Sequence, residues 1–313
     1  MRRTVPALLI ILAACGGGDD ATTATVPGSS VAVPTSILES PVLAVDGCED
    51  SPDAADYEVG AIPQAARPCE IPTALVTHTI RSGTGRNAQD GDTLFVDYIG
   101  VRAENGAVFD ESYSRGTPLE FPLGRGGVIQ GWDDGLIGTQ AGSLVKLDVP
   151  ADLAYGDTPP GGDDGVIRPG DALSFVVEVR AVVAPVTADD APLDLRIEPS
   201  IGATEVTVTE LTPGDGATVE AGDTAIVRMP LVRGDNEVVL FNTWERSGSY
   251  EKVPLEEGQT LPGLLEGIPG ARVGARLAIA MPPSEAFGED GQTSLGLPAG
   301  VDLIAVVDVV GVY

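Results

Sequence analysis

Aromatic residues are scarce in this 313-residue chain, at 4% of positions: two Trp, six Tyr and six Phe. Basic residues are few as well, with 18 Lys and Arg against 47 Asp and Glu, a formal charge of −29. Such a surface repels polyphosphate and has no basic stripe to release counterions, which excludes nucleic acid as a partner. A single His, His78, and three Cys leave too few soft donors for a zinc-type site, so no metal and no cofactor are expected. His78 reads as a surface side chain on the first strand, not a base. The apolar run at residues 5–14 is too short for a stable transmembrane helix. What is abundant is Gly, with 40 residues, and Pro, with 25. Together with 43% hydrophobic residues, these turn formers suit short strands better than a helical bundle. The length fits two domains rather than one core.

Arg2 and Arg3 precede the run at 5–14, the form of an export signal. Its end, Leu12-Ala13-Ala14-Cys15, resembles the bacterial lipobox. That resemblance implies a signal peptide at 1–14, a diacylglycerol on Cys15, and a membrane-anchored protein at the outer face of the cytoplasmic membrane or cell envelope. An ordinary secretory signal cut nearby is the alternative. Residues 15–45 cannot bury a core and read as a flexible tether. In an oxidising compartment Cys48 and Cys69 are expected to pair within an N-terminal extension at 46–74, closing a loop of about 20 residues worth on the order of 3 kcal/mol. Two free thiols are the alternative.

The chain repeats itself. Gly83-Thr84-Gly85 and Gly91-Asp92-Thr93 recur as Gly214-Asp215-Gly216 and Gly222-Asp223-Thr224, and Ala154-Tyr155-Gly156 recurs as Ala286-Phe287-Gly288. The offset drifts by only one residue, from 131 to 132, so two copies of one fold are predicted, at 75–184 and 203–313, with a Pro-rich linker at 185–202. Each copy has a strand-like run after its Gly-Asp turn, at 93–99 and 225–231. Each also closes with a β-branched run, at 173–183 and 301–312, read as a central strand buried on one face.

The first copy resembles the FKBP-type peptidyl-prolyl cis-trans isomerases. The blocks that carry the resemblance are Val96-Asp97-Tyr98-Ile99-Gly100, Val108-Phe109-Asp110-Glu111-Ser112, Leu119-Glu120-Phe121-Pro122-Leu123-Gly124 and Val128-Ile129-Gln130-Gly131-Trp132. Further on come Leu147-Asp148-Val149-Pro150, Leu153-Ala154-Tyr155-Gly156, Val166-Ile167-Arg168-Pro169 and Leu173-Ser174-Phe175. The resemblance implies a mainly β (α+β) fold, a bent antiparallel sheet around one short helix starting near Gln130. It also implies a proline pocket with Tyr98, Phe109, Trp132, Tyr155 and Phe175 as its aromatic walls and floor. Asp110 is its polar group and Arg115 the partner of Asp110, while Phe121, Val128, Ile129, Leu119 and Ile167 complete the substrate surface. Leu119 stands where the family often has an aromatic, and Asp163 in the flap where some members have His.

The second copy carries Met229, Asn242, Leu264, Phe287 and Ala305 at the places of Tyr98, Asp110, Trp132, Tyr155 and Phe175. It is expected to keep the fold and lose the site. The function implied is isomerisation of X-Pro bonds in unfolded or newly exported polypeptides by a monomer. The alternative is a non-catalytic holdase that binds such chains.

Overall fold

In the structure, a computed structural model, residues 44–58, 60–160, 165–186, 197–245 and 250–313 are described. The lipobox Cys15, the tether, Asp163 and most of the linker fall outside them.

The first domain starts with β3 (Val76–Arg81), after a short N-terminal pair, β1 (Ala44–Cys48) and β2 (Ala65–Arg67). At the turn before the next strand Gly91 has a φ of 87°, which glycine adopts without strain, and the buried Asp92 accepts from Arg86 and from the Gln89 backbone. There follow β4 (Thr93–Arg102), β5 (Val108–Glu111), β6 (Leu119–Pro122), α1 (Gln130–Gly135), β7 (Leu144–Val149) and β8 (Leu173–Val183). The sheet order is β3-β7-β8-β4-β5, antiparallel, with β6 also on β4. Helix α1 lies tight on β7: a Cβ at Gly131 would come within 2.4 Å of Val149.

Successive residues of a strand face opposite sides. On β4, Leu94, Val96 and Tyr98 join the core under α1, whereas Phe95, Ile99 and Val101 turn to the back face. That back face is covered. Ala65 of β2 and Tyr57 pack on Ile80, Ile99, Val101, Leu144 and Val176. A Cys48–Cys69 disulfide closes this N-terminal cover, and Asp50 accepts from the Cys69 backbone at 2.8 Å. His78 is half-buried rather than a free surface residue: its Nε2 lies 3.1 Å from the Pro52 carbonyl, which only accepts, so that nitrogen carries the proton. On the same side Lys146, 1% exposed, meets both Asp148 oxygens at 2.5 Å, and Ser174 donates to Asp148.

The second domain holds β9 (Thr207–Thr212), β10 (Thr224–Arg228), β11 (Pro230–Arg233), β12 (Val239–Asn242), β13 (Glu251–Pro254), α2 (Pro262–Gly267), β14 (Arg276–Met281) and β15 (Leu303–Val312). Its sheet runs β12-β11-β15-β10-β13, with β14 on β15 and β9 on β14, which repeats the first domain element for element. The single strand expected at 225–231 is two, because Pro230 has no N–H to continue the ladder. Met229, at the break, donates to Thr243 Oγ1.

One expectation about β8 is corrected. It was read as buried on one face, yet nine of its eleven residues are buried and the other two half-buried. Its pocket face packs under α1, while Val176 lies beneath the N-terminal cover and Ala181 and Val183 lie against the second domain.

Candidate active site

Five elements and two loops bring the predicted pocket residues together. Tyr98, Phe121, Trp132, Ile167 and Phe175 are buried in one cluster, and Phe109, Leu119, Val128, Ile129 and Tyr155 pack partly buried against it. The Trp132 ring is central. Tyr98 meets it edge-on at 5.1 Å, Phe175 edge-on at 5.2 Å and Phe121 at a tilt at 5.7 Å. Phe109 stands edge-to-face on Phe175 at 5.6 Å. These are the arrangements that aromatic quadrupoles favour.

Local sequence explains why the rings converge. Gly100 lies on the pocket face of β4, where a Cβ would sit 2.6 Å from Phe109 and 3.0 Å from Phe175. Only glycine leaves room for both rings. Before α1, the Asp133 carboxylate accepts from the backbone of Gly124 at 2.8 Å and of Gly126 at 2.9 Å, which fixes the loop that presents Val128 and Ile129.

The polar edge is a three-residue network. Tyr98 donates to Asp110 Oδ2, and Arg115 donates to Asp110 Oδ1 at 2.8 Å and to the Tyr98 hydroxyl at 2.9 Å. The Arg115 guanidinium also lies 5.5 Å from the Tyr98 ring centroid. Burial works to raise the Asp110 pKa, but hydrogen bonds from Tyr98 and Arg115 and the charge of Arg115 outweigh it, and the carboxyl titrates below its ordinary value. Burial and then the Asp110 partnership push the Tyr98 hydroxyl well above its ordinary value, so it stays a neutral donor. Ser112 anchors the strand beneath by accepting from the Tyr98 backbone and donating to Asp97. Two donors remain open in this cup. Among the described residues Trp132 Nε1 is buried without a hydrogen-bond partner, and the Tyr155 hydroxyl has none either.

The pocket is thus apolar and aromatic, with donors for carbonyl oxygens. The sequence model of the FKBP-type peptidyl-prolyl cis-trans isomerases matches residues 84–180 and again 216–310, more than half of the chain. The chain belongs to this family. An FK506-binding protein of Streptomyces anulatus is 48% identical over 113 residues, which cover 36% of this chain and 90% of that protein. A peptidyl-prolyl cis-trans isomerase of Saccharomyces cerevisiae is 49% identical over 92 residues, 29% of this chain and 66% of the other. A human enzyme of the same description is 32% identical over 226 residues, 72% of this chain but 35% of its own length.

Within this FKBP-type chain the second domain has no comparable cup among its described residues. Met229, Leu264 and Ala305 are buried core residues where the first domain has Tyr98, Trp132 and Phe175. Asn242 accepts from the Trp244 backbone at 3.1 Å. Sequence reasoning gave no role to Gly100, Ser112 or Asp133. The Gly124-Arg125-Gly126-Gly127 run was the available signal for Asp133, since so flexible a loop needs an external acceptor.

Proposed function

We propose that the first domain catalyses rotation about X-Pro bonds in unfolded or newly exported polypeptides, and that a lipid on Cys15 keeps the protein at the outer face of the cell envelope. The observation that carries the catalytic reading is the single buried cup of Tyr98, Phe121, Trp132 and Phe175. Mere retention of apolar chains needs no such convergence, and the second domain dispenses with it.

The mechanism follows from the amide. Resonance holds the planar bond behind a barrier of about 18–20 kcal/mol, and the two isomers at X-Pro lie close in energy. A planar imide has the larger dipole and is better solvated, so a cup that removes water favours the twisted form; each 1.36 kcal/mol so gained is about tenfold in rate. The proline ring rests over Trp132 between Tyr98, Phe121 and Phe175. Tyr155 donates to a carbonyl of the client. Asp110 faces the rotating carbonyl, and its standing bonds to Tyr98 and Arg115 hold the wall and loop in place. No nucleophile and no proton transfer are required.

The test is a protease-coupled isomerisation assay on residues 16–313 and on a Phe175→Ala variant. Acceleration of the slow proline step by the parent and its loss in the folded variant support the reading. A flat result from a folded parent leaves a peptide-binding protein. Partition of the full-length protein into detergent, abolished by Cys15→Ser, tests the anchor.

A further inference from the structure

The two domains meet back to back, and several of the residues that meet are counterparts. In the first sheet Phe95 lies beside Ala181 on one side and Glu120 on the other; in the second sheet Ile226 lies beside Gly311 and Lys252. The repeat therefore equates Phe95 with Ile226, Ala181 with Gly311, and Glu120 with Lys252. These same residues form the contact. Phe95, Ala181, Val183 and Ile226 make one buried cluster, with Tyr250 and Tyr313 packed on it. Phe95 stacks on Tyr313 at 5.7 Å and meets Tyr250 edge-on at 5.9 Å. Lys252 donates to Glu120 at 2.7 Å, and Tyr250 donates to Glu120 at 2.5 Å. The groove of about 680 Å³ beside the cluster is lined by counterparts too, Gly85 with Gly216 and Gly142 with Gly274. A contact in which Glu120 meets Lys252 and Ala181 meets Gly311, each its own equivalent, has the logic of a twofold dimer.

The pairing is not symmetric in chemistry, and the differences all favour first with second. Two first-domain faces would set Glu120 against Glu120, and two second-domain faces Lys252 against Lys252. Size acts in the same sense: a Cβ on Gly311 would stand 2.9 Å from the Ala181 Cβ, so alanine against alanine at this point has no room. Like charges placed across an interface are a standard way to reject a wrong partner.

We propose that the second domain is the built-in docking partner of the first, joined through a self-pairing face that Glu120, Lys252 and Gly311 make selective for first with second. The chain is then a pseudo-dimer in one polypeptide, and this face is closed to other copies. Tyr98 and Phe121 alternate with Phe95 and Glu120 along β4 and β6, and a register shift opposite Phe95 and Val96 turns Ala181 to the side of Phe95, so the first sheet turns its pocket face away from the contact. A client in the first pocket is not passed across the interface. The proposal is independent of catalysis, since each readout below is of docking.

The experiment compares residues 16–313 of the parent with Lys252→Glu, with Gly311→Glu, and with the exchange Glu120→Lys plus Lys252→Glu, by calorimetry and small-angle scattering. The parent is expected to melt in one coupled transition and scatter as one compact particle. Lys252→Glu sets a carboxylate opposite Glu120 and should split the transition, lower the midpoint by several degrees and enlarge the particle. Glu120 and Lys252 are both partly exposed, so each domain should still fold, with circular dichroism as the check. The exchange should restore coupling. A parent that scatters as two separate domains overturns the docking. Gly311→Glu, with no room for a side chain against Ala181, should also split the transition. A Lys252→Glu variant indistinguishable from the parent, or an exchange that fails to rescue, overturns the charge selectivity, and a Gly311→Glu variant that melts and scatters as the parent does overturns the role of Gly311.

Discussion

Trp132→Leu puts into the first pocket the residue that the second domain carries at the same place, Leu264, so the helix backbone should accept it. Trp132 is 3% exposed and touches three rings. Replacing it removes roughly 80–100 Å² of apolar burial, worth about 2–2.5 kcal/mol at 25 cal/mol/Å². Three ring pairs worth about 0.5–1.5 kcal/mol each are lost as well, partly offset as Leu finds its own contacts. A net loss of about 3 kcal/mol sits at the lower end of the range for removing the whole side chain, and it lowers the melting midpoint by roughly 6–12 °C in a unit of this size. In the isomerisation assay the loss of the floor should cut kcat/KM by about tenfold to a hundredfold, the equivalent of about 1.4–2.7 kcal/mol of preference for the twisted bond. Stability and activity should fall together, at a temperature where circular dichroism shows the variant folded. A folded variant with kcat/KM within about twofold of the parent would refute the assignment of Trp132 as the floor.

Asp148→Ala strands a buried ammonium on Lys146 and should destabilise by about 3–5 kcal/mol in urea unfolding, whereas Lys146→Met with Asp148→Leu should recover most of it. Gly100→Val should push Phe109 and Phe175 apart and raise KM more than it lowers the midpoint, read from full kinetic curves. Activity should be level between about pH 5 and 9: the lowered Asp110 keeps its charge above the ordinary carboxylate value near 3.9 and loses it only as pH falls through a still lower one, while the raised Tyr98 stays neutral to beyond about 10. A step in the pH–rate profile inside that window would count against the network. Cys48→Ser with Cys69→Ser should lower stability by roughly 3 kcal/mol through the freed loop yet leave kcat/KM unchanged.

The pocket could be read because its requirements are local and ordered: a ring at each of several fixed positions, and a carboxylate near an arginine. Ten predicted wall residues fall in one cluster, and Asp110 joins them through Tyr98. The back face could not be read the same way. Periodicity along one strand says which residues share a side, and nothing in it says what lies on that side. Residues 173–181 alternate, with Ser174, Glu178 and Arg180 between apolar side chains and Val176 breaking the pattern, whereas Ala181 and Val183 reach the covered side through a register shift opposite Phe95 and Val96 that periodicity does not show. Pro230 was equally visible, and its missing N–H predicts the break in the strand. Gly100 was legible as a letter but not as a role, because its reason is two rings brought in from other strands.

The two copies separate what the fold needs from what the site needs. Both keep a glycine pair in the short helix, with Gly131 against Val149 and Gly263 against Met281, since without them the helix could not reach the sheet. Both keep a hydroxyl that accepts from the central strand, Ser112 from Tyr98 and Thr243 from Met229, since that backbone N–H needs an acceptor. The rings meet no such demand. Ala305 is fully buried where Phe175 stands, and Leu264 fills the place of Trp132, so a closed aliphatic core satisfies the second fold as well as an aromatic cup satisfies the first. The polar network follows the same division: Met229 stands in place of the tyrosine, and Asn242 accepts from the Trp244 backbone. What the second copy retains beyond its fold is the face with Ile226, Lys252, Gly311 and Tyr313. Lys252 complements the charge of Glu120 and Gly311 makes room for Ala181, which is what a domain kept for docking requires and a domain kept for catalysis does not.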